Sequence, residues 1–401
     1  MDPPPASVSQ EASLSLGRDS RSQIRVIRVP HSCKAIMPSD HCRQGDRAEM
    51  LSQPQACRGW STFDSTFMRT IRWGIIGCGD VTEVKSGPAL QQAANSALVA
   101  VMRRNGDLAR DYARRHGVPK WYDDAGALIE DPEVDAVYIA TPPSSHEEYV
   151  LRVARAGKPV YVEKPMARDF VECRSMVDAC REANVPLFVA YYRRALPRFV
   201  EIKRLIESGA IGDVRFVSVT LLRPQDYGVV AGAPLPWRVL PEIAGAGLFL
   251  DLASHMLDFL DYALGPICEA RGVASSQARL YPAEDIVTAT FRFASGAHGV
   301  GTWCFSAFES RDHTEIVGSH GMISYSTFES TPIVLTTRDG VTELPIPNPP
   351  HIQQPLIQLI VNALNGEGTS PSTGDTAART SWVMDQMLVR TRAPSSSGAP
   401  A

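Results

Sequence analysis

From Ile71 onward, short apolar runs alternate with longer amphipathic ones. "IRWGIIG" (71–77), "ALVAVM" (97–102), "DAVYIATPP" (135–143), "PVYVEKP" (159–165) and "PLFVAYYRR" (186–194) each hold a continuous apolar stretch. Such runs predict strands buried on both faces. The segments between them carry helical periodicity. One helix follows the first strand to about Ala94, "DLARDYARRHG" (107–117) forms another that Gly117 ends as a C-cap, and "EEYVLRVARAGK" (147–158) forms a third. Cys173 and Cys180 share a helical face with Phe170 and Val177 and read as small core residues. Strand–helix alternation implies right-handed βαβ units and a parallel sheet.

Past residue 194 the pattern changes. A helix is predicted over 197–209, followed by strand-like stretches at 213–222, 285–293, 296–305, 313–325 and 332–337, joined by glycine-bearing turns. These read as a largely antiparallel sheet. Residues 241–265 are apolar enough to form one long buried helix. The expected organisation is an α/β nucleotide-binding domain over 68–190, an α+β domain over 191–390 with a large, mostly antiparallel open sheet, and a disordered tail over 391–401.

Residues 1–67 are rich in Ser, Pro, Arg and Gln and show no sustained period, so disorder is expected, or an extension foreign to the native chain with Met68 as its start. A secretory signal lacks its apolar region here, and seven acids against eight bases argue against a transit peptide. His31, Cys33, His41 and Cys42 match no zinc-finger spacing. A net charge of -4 and a hydrophobic fraction of 44% give no basic surplus for nucleic acid, and no apolar run is long enough for a membrane span. The eight cysteines contain no CxxC pair, which fits a cytoplasmic protein with no metal centre.

Chemistry enters at the strand ends. Gly77 and Gly79 sit where the first strand turns into a helix, the geometry that lets a pyrophosphate approach the backbone, with Asp80 and Val81 following and Thr82 at the third position of the fingerprint. At the end of the second strand an NAD enzyme usually carries an acid for the ribose hydroxyls. Here Arg103 and Arg104 occupy that slot, which favours NADP, with NAD as the alternative. Lys164 stands at the carboxyl end of a buried strand, where an unpaired ammonium would be costly. Asp251 and His255, at i and i+4, share one helical face; they are either a satisfied core pair or working groups. Asp258 and Asp261 on the same helix are expected to face solvent or to cap.

Taken together, "GIIGCGDVT", "AVYIATPPSSH", "VYVEKPMA", the "PWR" at 236–238, "GAGLFLDLASH" and the closing "PSTGDTAARTSWVMDQ" resemble the glucose-fructose oxidoreductase, inositol dehydrogenase and MocA family over about residues 70–390. The resemblance implies a Rossmann domain followed by an open α/β domain whose sheet lines the substrate site and joins subunits into a homodimer or homotetramer. It implies that Lys164 meets the substrate hydroxyl, that His255 accepts the proton and that Asp251 holds substrate or orients the histidine. Thr141 and Pro142 would line the nicotinamide with His146 and Glu163 nearby, and Trp237 and Arg238 would close over the cofactor. The expected activity is hydride transfer between NAD(P) and a sugar, polyol or related cyclic hydroxy or keto compound. Relatives that cleave glycosides around a retained NAD, and non-catalytic regulators on the same scaffold, are the alternatives. Tyr191, Tyr192 and Arg193, with Arg223, are candidates for the substrate wall; the "AYYRR" they lie in departs from many sugar enzymes and leaves the substrate open.

Overall fold

A computed structural model describes residues 68–225 and 233–388. The expectations for 1–67 and for the tail over 391–401 lie outside the described residues. Six strands, β1 (Ile71–Ile76), β2 (Ser96–Met102), β3 (Lys120–Tyr122), β4 (Ala136–Ile139), β5 (Val160–Val162) and β6 (Leu187–Val189), form a fully parallel sheet in the order β3-β2-β1-β4-β5-β6. That is the Rossmann order, with the reversal beside β1 placing a crevice at the carboxyl ends of β1 and β4. The strands β4, β5 and β6 are buried at every position, which is why they read as unbroken apolar runs.

Helices cover both faces: α1 (Gly87–Gln92), α2 (Gly106–His116), α3 (Ala125–Glu130), α4 (His146–Arg155) and α5 (Phe170–Glu182). The helix expected after β1 begins differently. Residues Thr82–Ser86 form a π-helical turn before α1 starts, and Gly87 packs so closely on the carbonyl of Thr82 that a Cβ there would lie 2.3 Å from it.

After α6 (Pro197–Glu207), the second sheet comprises β7 (Val214–Pro224), β8 (Ile267–Ser275), β9 (Ile286–Phe293), β10 (His298–Ala307), β11 (Arg311–Gly318), β12 (Gly321–Tyr325), β13 (Ile333–Thr337) and β14 (Gly340–Leu344). Its order is β14-β13-β12-β11-β7-β10-β9-β8, antiparallel except for the central β7–β10 pair. The stretch expected as one strand over 313–325 is two, folded back at Ser319–His320 so that Ile316 faces Ile323. β8 and β14 escaped the sequence reading because they show little apolar pattern: of β8 only Ile267 and Ala270 are buried, and β14 has no buried residue.

The long apolar segment is also two elements, α7 (Pro241–Ala244) and α8 (Leu248–Leu264). Gly245 breaks it with φ +89 and with its Cα pressed on Arg168, where a Cβ would lie 2.2 Å from the Arg168 carbonyl. Gly247 donates its N–H to Glu284. By length and composition the α7–α8 segment resembles a membrane span, yet most of it is buried inside the fold, with Phe249 edge-on to Trp303 of β10 and Phe259 edge-on to Phe199 of α6. Two C-terminal helices, α9 (Gln354–Leu364) and α10 (Gly374–Leu388), return to the first sheet: Thr373 bridges to Phe188 of β6, and α10 packs along α5.

Asp258 and Asp261 do not face solvent. The Asp258 carboxylate accepts two charge-assisted bonds from Arg194, at 2.6 and 2.8 Å, and both side chains are 1% exposed. Asp261 accepts from Arg379 at 2.6 Å and from the backbone N–H of Ile267. The apolar surroundings leave these carboxylates no water, and burial is tolerated because each is paired.

Candidate active site

A cleft of about 450 Å³ opens at the sheet's reversal point, lined by Gly77, Gly79, Asp80, Arg103, Thr141 and Trp237 among others. Gly77 has φ +91, and a Cβ there would strike the Thr141 methyl at 2.7 Å. A Cβ on Gly79 would meet nothing closer than the Gly77 carbonyl at 3.9 Å, so this side of the turn is open to a phosphate. The turn is held by Gly77 and Cys78 N–H groups donating to the Met102 carbonyl and by the Thr82 hydroxyl donating to the Gly79 carbonyl. Thr82 therefore closes the turn by its side chain where the usual fingerprint has a small residue. Arg103 and Arg104 are exposed on the cleft wall, and among the described residues neither has an ion-pair partner. Asn105 beside them caps α2 by accepting from Leu108 N–H. A dinucleotide fits this lining: glycine turn, helix start and cationic ribose end lie in one groove.

Beyond the cleft lie the ionisable groups. Lys164 Nζ donates to Asp251 Oδ1 at 2.7 Å and to the Asp251 carbonyl at 3.0 Å, and Arg238 Nε lies 3.3 Å from Asp251 Oδ2. The Lys164 and Asp251 side chains keep 13% and 16% of their surface exposed, unlike the sealed Arg194–Asp258 pair. Burial pushes the Asp251 carboxyl up, but Lys164, Arg238 and Lys85 outweigh it and hold the group below the ordinary carboxylate range. One turn along α8, His255 is held well below the usual imidazole range, first by burial and then by the charges of Arg193, Lys164 and Lys85. Its ring is framed edge-on by Tyr191, Tyr192 and Phe328, and its buried Nδ1 has no hydrogen-bond partner. A buried polar atom left unpaired is costly, and this one leaves the ring free to bond a ligand or a water.

The chain as a whole matches known proteins. Residues 71–191 match the model of an oxidoreductase family with an NAD-binding Rossmann fold, and residues 199–324 match a Gfo/Idh/MocA C-terminal domain. An oxidoreductase of Formosa agariphila is 40% identical over 316 residues, spanning 79% of this chain and 97% of that protein. The chain belongs to the Gfo/Idh/MocA oxidoreductases. Myo-inositol 2-dehydrogenase of Thermotoga maritima is 32% identical over 67% of this chain and 79% of its own. The solved complex of levoglucosan dehydrogenase with NADH and levoglucosan superposes with TM-score 0.72 at 25% identity, covering 79% of this chain and 96% of that one. Fold and activity class follow: a Rossmann domain that binds NAD(P), a mostly antiparallel second sheet, and an oxidoreductase that acts on CH–OH groups.

Within this Gfo/Idh/MocA chain the sequence-predicted residues divide. Lys164, Asp251 and Arg238 meet directly; His255, Tyr191 and Tyr192 form the adjoining layer, with Arg193 stacked 5.1 Å above the Tyr192 ring. Gly77, Gly79, Asp80, Arg103, Arg104, Thr141, Pro142 and Trp237 line the cleft, while Val81 does not. Arg238 lies over the Trp237 ring at 4.5 Å and reaches toward Asp251 rather than the nucleotide end. Arg223 lies 3.7 Å from Glu329.

Two of the expected cofactor neighbours turn inward. Both ring nitrogens of the fully buried His146 lie against main-chain carbonyls, Nε2 at 2.7 Å from Thr141 and Nδ1 at 3.1 Å from Met166, so the ring ties the β4 loop to the loop after Lys164. Glu163 accepts from the Tyr138 hydroxyl at 2.6 Å, from Gln353 Nε2 at 2.7 Å and from the Lys164 backbone N–H at 3.0 Å. Gln353 in turn accepts from the Tyr161 hydroxyl at 3.0 Å. This network seats the turn from which Lys164 projects; the Lys164–Pro165 peptide in it is cis. Sequence reasoning missed Gln353, Lys85, Tyr149 and Phe328. Only Lys85 carried a signal, its place just after the glycine turn.

Proposed function

We propose that this chain is an NADP-linked dehydrogenase moving a hydride between the nicotinamide and a secondary alcohol or ketone of a sugar, polyol or related cyclic compound. The observation that carries the reading is the partly exposed Lys164–Asp251 ion pair, joined to the dinucleotide cleft through Arg238 and the cleft-lining Trp237, with neutral His255 one turn away. Relatives named inositol and levoglucosan dehydrogenases support the substrate class. Arg103 and Arg104, in the slot where NAD enzymes place an acid, support the 2′-phosphate; the levoglucosan dehydrogenase complex holds NADH, which keeps NAD as the competitor.

The nicotinamide supplies the hydride chemistry when bound. The chain's task is the proton and the geometry. Lys164 is anchored by Asp251 and presents an ammonium to the substrate oxygen, stabilising negative charge as it develops; donors of this kind contribute about 3 kcal/mol. His255, neutral at pH 7, accepts the hydroxyl proton in oxidation and returns it in reduction. Asp251 fixes the Lys164 rotamer, and Trp237 covers the cleft against water.

The test is titration of the full chain with NADPH and NADH, following tryptophan quenching and nicotinamide fluorescence, then a panel of cyclic polyols and sugars with the better cofactor. Tighter NADPH binding and turnover of a panel member are expected. Tighter NADH binding removes the role given to Arg103 and Arg104, and failure to bind either overturns the reading as a whole.

The same proposal extends to assembly and place. The second sheet leaves Phe216, Val273 and Val300 exposed on its uncovered face, and a second copy of this chain is the occupant it suits. The cysteines of the described residues are all free, which suits a cytoplasmic setting.

A further inference from the structure

The ring of charges around His255 is unbalanced. Lys164 and Arg238 share a single carboxylate, Asp251. Lys85 projects from the π-helical turn, and among the described residues it forms no ion pair, although its charge acts on both Asp251 and His255. π-Helical turns of this kind recur at functional sites because they redirect one side chain out of helical register.

Arg193 is the second anomaly. It is 6% exposed, and no carboxylate pairs with it among the described residues. Its Nε donates to the Thr327 carbonyl at 3.2 Å, and its Nη1 is buried without a partner. The guanidinium lies over Tyr192 at 5.1 Å and Phe328 at 4.7 Å, the two rings that also flank His255. Asp312, which accepts from the same 327–329 segment that Arg193 touches, is committed to the backbone N–H groups of Thr327, Phe328 and Glu329. A buried guanidinium with an open donor and no counter-charge costs several kcal/mol unless an anion completes it.

We propose that the substrate of this site carries an anionic group, a carboxylate or phosphate on a polyhydroxylated skeleton, held between Arg193 and Lys85 while its hydroxyl faces Lys164. The inference rests on the oxidoreductase reading above and names its substrate class. It also supplies what the proton transfer lacks: every charge acting on His255 is positive, so an imidazolium forms there readily only when an anion is bound alongside.

The experiment uses the full chain loaded with NADPH and three matched probes, D-glucuronate, D-glucose 6-phosphate and D-glucose, with affinities read by calorimetry. At least one anionic probe is expected to bind about 10-fold or more tighter than glucose, and Arg193→Gln and Lys85→Gln are each expected to shrink that ratio about 10-fold while NADPH affinity is kept. Preference for glucuronate identifies a carboxylate, and preference for the phosphate ester identifies a sugar phosphate. Glucose binding as tightly as both anions, no anion binding up to about 10 mM, or an unchanged ratio in the variants overturns the inference. Lys85 is exposed, so Lys85→Gln remains informative if Arg193→Gln does not fold. Failure of the oxidoreductase reading is a separate result, since it appears as a chain that binds neither NADPH nor NADH.

Discussion

Two ion pairs stand seven residues apart on α8, and they do opposite things. Arg194–Asp258 is sealed, with both side chains 1% exposed and the carboxylate also accepting from the Thr380 hydroxyl. Lys164–Asp251 is left partly open, and its carboxylate is divided between a lysine and an arginine. The sealed pair has no capacity left for a ligand, so it is a strut that pins α8 to the segment after β6. The open pair retains donors that water or substrate can reach. Saturation, rather than the presence of opposite charges, separates a brace from a site.

The largest expected effect breaks the open pair. Lys164→Ala should lower turnover by about two orders of magnitude or more while NADPH affinity stays within about twofold, read by steady-state kinetics beside fluorescence titration. Unchanged turnover would end the catalytic assignment. Breaking the sealed pair should do the converse. Arg194→Met leaves Asp258 buried and uncompensated, so unfolding in urea should show a loss of about 3–5 kcal/mol, with turnover per folded molecule nearly kept. A stability loss under about 1 kcal/mol would mean that Asp258 finds another partner.

Asp251→Asn sharpens the contrast. It keeps the shape and the main-chain carbonyl contact to Lys164 but removes the charge that anchors it, and turnover should fall about 10-fold with little change in melting temperature. Equal losses in both would make the open pair a strut as well.

The smallest effect concerns a carboxyl that has neither a cation nor a site. Burial raises Asp385 to about 6, above its unfolded value of 3.8. The folded chain therefore binds this proton more tightly, and stability falls as pH rises from 3.8 to about 6 and stays lower above that. Asp385→Asn removes the charge but keeps an acceptor for the Phe170 N–H, so it should raise the melting temperature by a few degrees at pH 8 and hardly at pH 4, read by differential scanning calorimetry.

Five of the six strands of the first sheet were legible because parallel strands buried on both faces leave unbroken apolar runs, and the glycine turn and Lys164 fall at their ends; the three-residue β3, only half-buried, was not. That Asp251 and His255 share a face was legible because four-residue spacing on an apolar helix is a local signal, while the role given to them came from the family resemblance alone. What stayed hidden depends on partners far along the chain. Asp258 looked like a solvent-facing acid because Arg194 is distant in sequence, and Glu163 looked like a cofactor neighbour because Gln353 lies 190 residues away. The break at Gly245 was written in the sequence, but the reason for it, contact with Arg168, was not. Lys85 escaped because a regular helix was assumed where the chain makes a π-helical turn.

The Glu163 network carries a consequence for the chain as it is made. Its turn belongs to the first half of the molecule, yet Gln353, which holds the carboxylate from the other side, emerges from the ribosome only after nearly all of the second sheet. A nascent chain with its Rossmann strands complete still lacks the clasp on the lysine turn, and a product released before residue 353 lacks it permanently. Synthesis thus delivers the nucleotide groove early and the seat of Lys164 late.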